Sequence, residues 1–304
     1  MTEASFEKLR ETRAHRPDAI AEAAARRSRR RFLDGQGRLM LVAADHGARG
    51  ALAVRGQPLA MADRYELLDR LTVALARPGV DGVLGSPDVL EDLLLLGALE
   101  DKVVVGSMNR GGLFGAAWEI DDRFTAYDTD AIVASGFDAG KMLLRLDDND
   151  PATARTLEAC AHAVSALAAR RLPAMVEPFV ARSVDGRVRN DLSTDAVIRS
   201  VTVSSALGTT SAWTWLKLPV VADMERVMAA TTLPTLLLGG DPDESPDETY
   251  ATWEKALVLP GVRGLVVGRT LLYPPDRDVA GAVDTAAALV RPAGVGAATG
   301  GGHR

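Results

Sequence analysis

The chain is poor in the residues that hold metals and cross-links. Its 304 residues include one cysteine, Cys160, and four histidines, His15, His46, His162 and His303, scattered through unrelated segments. A single thiol excludes any disulfide within the chain. Zinc sites draw on several His or Cys ligands at characteristic spacings, and no such set exists here, so neither a metal nor another cofactor is expected. No stretch approaches the roughly 18 consecutive apolar residues of a membrane helix, and the opening MTEASFEKLRE lacks the apolar core of a signal peptide. The expected location is therefore the cytoplasm.

Positive charge is also in deficit. The formal net charge of −6 provides no general attraction for nucleic acid or an anionic membrane. The expected partner is a small molecule, with no nucleic acid and no membrane, and a homo-oligomer is left open. The one basic run, RRSRRRF at 27–33, continues the helical pattern of AIAEAAARR and is followed by the stop signal DGQG, so it reads as the solvated face of an N-terminal helix over about 17–33. That helix, in an N-terminal segment of residues 1–34, is placed to close the floor of the domain that follows.

From residue 38 short β-rich runs alternate with longer helical ones. The runs are 38–45, 79–86, 102–108, 140–147, 173–180, 212–219, 233–241 and 262–269. Helical patterns such as ATARTLEACAHAVSALAARR and DETYATWEKALVL lie between them, and Cys160 sits in the first of these. Strands with little polar alternation, separated by helices, form a parallel sheet covered on its outside. Eight such units predict an α/β protein, a (β/α)₈ TIM barrel with an extra N-terminal helix, over residues 35–292. The absence of a GxGxxG turn after the first strand argues against a doubly wound dinucleotide fold. Residues 109–139 are longer than one helix and leave room for a loop over the barrel mouth. The Gly- and Ala-rich residues 293–304 read as a disordered tail.

A barrel of this kind builds its site at the C-terminal ends of its strands. Side chains alternate faces with period two, which makes rows of Leu41, Ala43 and Asp45, of Lys141, Leu143, Arg145 and Asp147, of Met175, Glu177 and Phe179, and of Trp213, Trp215 and Lys217. Facing inward, Asp45, Lys141, Glu177 and Lys217 meet in one cavity. Each alone reads as a salt bridge filling the interior, but four buried charges are costly unless paired or used.

An amine there suggests covalent chemistry. An ordinary lysine, with a pKa near 10.4, is protonated at neutral pH and cannot attack a carbonyl. The like charge of Lys141 and an apolar lining from Trp213 and Trp215 would favour the neutral amine. Lys217 is then the candidate Schiff-base nucleophile, the electron sink for carbon–carbon cleavage, and Glu177 or Asp45 the group that removes a hydroxyl proton. Gly239 and Gly240 end the seventh strand, and Gly268 and Arg269 the eighth, which matches the common barrel phosphate site. Arg145 is a further candidate for binding the anion. His46, at the end of strand one, either contacts substrate or caps the turn in DHGARG.

The segments AADHGARGAL (43–52), GKMLLRLD (140–147), MVEPFV (175–180), WLKLP (215–219), LLLGGD (236–241) and VVGR (266–269) together resemble, in order, the class I aldolases related to tagatose-1,6-bisphosphate aldolase. The resemblance implies Asp45, Lys141, Glu177 and a Schiff-base Lys217 as the active site. More specifically the chain resembles actinobacterial aldolase-like barrel proteins found with inositol-catabolism enzymes. That implies cleavage of 2-deoxy-5-keto-gluconate 6-phosphate to dihydroxyacetone phosphate and malonate semialdehyde. DHGARG and GGD depart from the tagatose-bisphosphate pattern, so deoxyribose-phosphate and sulfo-sugar phosphate cleavage stay open. So do a non-covalent barrel isomerase or decarboxylase and a catalytically silent sugar-phosphate-binding protein.

Overall fold

The computed structural model describes residues 1–33, 35–240 and 245–292; the expected tail at 293–304 lies outside them. Eight parallel strands close on themselves: β1 (Leu39–Ala44), β2 (Gly82–Gly85), β3 (Val103–Ser107), β4 (Ala139–Leu146), β5 (Ala174–Val184), β7 (Thr214–Leu218), β8 (Thr235–Leu238) and β9 (Val262–Val267). Their order is β4-β3-β2-β1-β9-β8-β7-β5, and a β4–β5 pairing completes the ring. The fold is a (β/α)₈ TIM barrel.

Period-two alternation sorts the core into two layers. Leu39, Leu41, Ala43, Val103, Val105 and Met175 fill the interior. Their neighbours Met40, Val42, Val104 and Val176 turn outward into the apolar layer under the helices. Strand contact is tight where side chains are missing. A Cβ at Gly82 would overlap the Val103 carbonyl, and one at Gly264, where φ is +135°, would overlap that of Leu39. Only glycine fits these two positions.

The N-terminal segment departs from expectation. Two helices form, α1 (Glu3–His15) and α2 (Ala19–Arg26), and the helix expected over 17–33 stops at Arg26. The basic run is not a solvated helix face. Arg27 is buried and donates to the carbonyls of Leu99, Lys102 and Gly136, while Arg29 and Arg30 pair with Asp138 at 2.9 Å and Asp81 at 2.5 Å. Satisfying carbonyls at the bottom of the barrel outweighs continuing the helix. The same non-helical stretch inserts Phe32 and Leu33 against the interior core, Phe32 edge-on to Trp215 at 5.2 Å.

A second departure lies beyond β5. The strand runs past its expected end at Val180 and turns back through the antiparallel β6 (Arg187–Asp191). Asp185 and Gly186 both have positive φ, as a two-residue hairpin turn of the I′ kind requires. Val188, Asn190 and Leu192 of this arm reach the rim of the cavity at the strand ends. Beside them, the loop between β3 and the helix Thr129–Ala134 brings Phe114 and Glu119 to the same rim, with its Ile120 in one apolar cluster with Val188.

Candidate functional site

The cavity at the C-terminal ends of the strands has a volume of about 730 Å³. Asp45, Lys141, Glu177 and Lys217 meet at its base, each less than a tenth exposed. Register explains the convergence. Lys141 is level with Met175, so Glu177, two residues on, lies diagonally above it, and Met175 is in turn level with Trp215, two residues before Lys217.

The contacts form a chain. Lys217 Nζ donates to Glu177 Oε1 at 2.5 Å, Lys141 Nζ meets Glu177 Oε2 at 2.5 Å, and the same ammonium reaches Asp45 Oδ2 at 3.2 Å. Asp45 Oδ2 also accepts from Ser107 Oγ at 3.0 Å and pairs with Arg110 Nη2 at 2.7 Å. Burial would raise both carboxyls, but the cations overcome it. Arg110 and Lys141 hold Asp45 well below the carboxylate range, and Lys141 and Lys217 hold Glu177 down at about 2. Burial, only partly offset by Asp45 and Glu177, pushes Lys141 down to about 8.

Among the described residues Lys141 lies between two carboxylates, whereas Lys217 pairs with one, Glu177. Trp215 packs below Lys217 in the interior as expected. Trp213 does not line the site. It precedes β7 at the opposite end of the barrel and is 36% exposed, because the row that carries Lys217 enters the barrel only at Trp215.

His46 lines the cavity, and its side chain does not cap the turn: the short 3-10 turn Gly47–Arg49 starts from His46 with no side-chain cap bond, and among the described residues His46 Nδ1 is buried without a partner. Burial first, and then the charges of Arg269 and Lys217, push the imidazole down to about 3, so it is neutral at physiological pH. Gly239, Gly240 and Arg269 line the wall formed by β8 and β9. Arg269 Nη1 donates to the Ala53 carbonyl at 3.3 Å, and the residue opens a one-turn helix, Arg269–Leu272. Gly268 is not among the lining residues; a Cβ there would meet the Ala43 carbonyl at 2.5 Å and His46 Cε1 at 2.6 Å, so the glycine lets both β1 and the imidazole pack close. Arg145 lines the opposite side and is engaged by Glu119, through the side chain and, at 2.5 Å, through the carbonyl. Asp147, the last of its row, accepts backbone N–H groups of Asn149 and Ser183 rather than lining the cavity.

Sequence reasoning missed Ser107, Arg110 and Arg49. Ser107 was readable, since it continues the inward row Val103, Val105 to the end of β3. The two arginines come from loops, where no periodicity tells which way a side chain points.

A family model described as Cgl0159-like matches residues 37–287. The chain belongs to the Cgl0159-like family. The crystal structure of Cgl0159 from Corynebacterium glutamicum is similar at 59% identity with a TM-score of 0.93, covering 95% of this chain and 98% of that one. An archaeal fructose 1,6-bisphosphate aldolase matches this Cgl0159-like barrel with a TM-score of 0.66 at 18% identity, over 89% of this chain and 98% of that one. An archaeal fructose-1,6-bisphosphate aldolase whose catalytic Lys is covalently bound to the carbinolamine intermediate matches with a TM-score of 0.61 at 17% identity, over 89% and 99%. At such identities the likeness describes the fold alone, a TIM barrel. No curated protein matches the chain. No helix among the described residues is long and apolar enough to cross a membrane.

Proposed function

We propose that this Cgl0159-like protein is a class I aldolase that cleaves a phosphorylated ketose or keto-sugar acid through a Schiff base on Lys217. The observation that carries the reading is the buried contact of Lys217 Nζ with Glu177 Oε1 at the base of the strand-end cavity. Proton transfer within this pair works against the pull of Lys141 that keeps Glu177 ionised, but it neutralises two buried charges at once and leaves an amine able to attack. Lys141, pinned by Asp45 and Glu177 together, is the less free of the two amines and serves to hold the carboxylates in place.

In the proposed sequence Glu177 takes a proton from Lys217, and the free amine adds to the substrate ketone. Glu177 returns that proton to the carbinolamine oxygen, which leaves as water and gives the iminium. Again a carboxylate, Glu177 accepts the proton of the hydroxyl two carbons away. The bond between breaks, an aldehyde departs, and the electron pair becomes the enamine. Protonation of the enamine carbon and addition of water release the second product and restore Lys217.

The substrate we favour is 2-deoxy-5-keto-gluconate 6-phosphate, giving malonate semialdehyde and dihydroxyacetone phosphate. Its phosphate would lie at Gly239, Gly240 and Arg269, next to the one-turn helix after the last strand, where barrel phosphate sites recur. The deciding experiment is borohydride reduction in the presence of dihydroxyacetone phosphate, followed by intact mass and peptide mapping. A reduced adduct on Lys217 is expected, and turnover of this substrate with no adduct would favour a non-covalent mechanism.

A further inference from the structure

Opposite the β8–β9 wall, three guanidinium groups line the cavity together: Arg49 from the turn after β1, Arg110 from the loop after β3, and Arg145 from β4. All three residues are less than a tenth exposed. Each is anchored on one side. Arg49 donates to the Gly112 carbonyl at 2.6 Å and pairs with Asp122, Arg110 holds Asp45, and Arg145 holds Glu119. Among the described residues each also keeps a buried Nε with no hydrogen-bond partner. Unpaired buried donors are uncommon, and three on one wall call for an acceptor from outside the chain.

Charge points the same way. The two lysines balance Asp45 and Glu177, whereas the three arginines meet only Glu119 and Asp122 in addition, so among these described residues one positive charge is left over. Burial, and then the charges of Arg110 and Arg145, push the Arg49 guanidinium down to about 8. The cluster is held together against its own repulsion.

We infer that Arg49, Arg110 and Arg145 form a second anion subsite that binds a singly charged carboxylate at the end of the substrate remote from the phosphate. One surplus charge matches a carboxylate better than a phosphate dianion, and planar guanidinium forks suit carboxylate geometry. The assignment rests on the aldolase reading, in which the base of the cavity lies between the two anionic ends and the departing aldehyde carries the carboxylate.

Calorimetric titration of the full chain with 3-hydroxypropionate, against its uncharged analogue 1,3-propanediol, tests this without any turnover. The carboxylate should bind and the diol should not; equal binding, or none by the carboxylate, overturns the subsite. Arg49→Gln and Arg145→Gln, each checked for folding by circular dichroism, should weaken 3-hydroxypropionate by about tenfold or more, the usual scale for a lost charge-assisted hydrogen bond. Loss of inorganic phosphate binding in these variants with carboxylate binding retained would assign the wall to a dianion and also overturn it. The borohydride adduct with dihydroxyacetone phosphate on the unaltered protein is read separately. If it fails while carboxylate binding still requires the arginines, the aldolase reading falls and the subsite stands.

Discussion

Glu177 and Lys217 stand on the neighbouring parallel strands β5 and β7 and meet through Oε1 and Nζ at 2.5 Å, while the other oxygen of Glu177 holds Lys141 at the same distance. One carboxylate thus separates two amines. Which amine becomes the nucleophile decides how a substrate must enter.

Lys217→Arg should fold and lose both borohydride trapping and turnover, because a guanidinium with a pKa above about 12 keeps the cation and supplies no neutral amine. Peptide mapping of the trapped protein checks the assignment. An adduct on Lys141, with Lys217→Arg still active, would exchange the two roles within the same class of reaction.

Lys141 also makes stability depend on pH in a defined direction. Its folded value, about 8, lies below the unfolded 10.5, so between these values the unfolded chain binds more protons. The Lys141 contribution to stability should therefore rise from pH 8 to 10.5. Denaturant unfolding at several pH values, compared with Lys141→Met, isolates this slope. A variant with the same pH dependence as the parent would contradict it.

Arg269→Ala should raise KM for a phosphorylated substrate by about tenfold or more, the scale of one charged hydrogen bond, with a smaller fall in kcat. That split is expected of a contact equally strong in the ground and transition states. A fall confined to kcat would place the phosphate elsewhere.

Activity should survive EDTA, since the proposed electron sink is the iminium on Lys217 rather than a metal. Steady-state rates before and after exhaustive chelation decide the matter. Loss of activity with rescue by zinc would remove the Schiff-base reading.

Period two made much of this molecule legible from the chain alone. The eight strand segments follow from β-rich runs set between helical ones, and the inward rows and the meeting of Asp45, Lys141, Glu177 and Lys217 follow from alternation along those strands, because a barrel leaves an inward side chain only one place to go. Even Ser107 was within reach of that rule. Trp213 was misread because alternation gives a face but not the depth at which a strand enters the barrel.

Tertiary structure decided what the loops do. Arg27, Arg29 and Arg30 read as a solvated helix face, yet carbonyls and carboxylates at the barrel floor claim them. Asp185–Gly186 carries a local turn signal, but only pairing with the extended β5 makes it a hairpin at the rim. Arg49 lies far in sequence from Arg110 and Glu119, and the two loops that carry them have no periodicity. Their side-chain directions are set by which buried carbonyls and charges they satisfy once the barrel has closed, and no pattern within either loop encodes that.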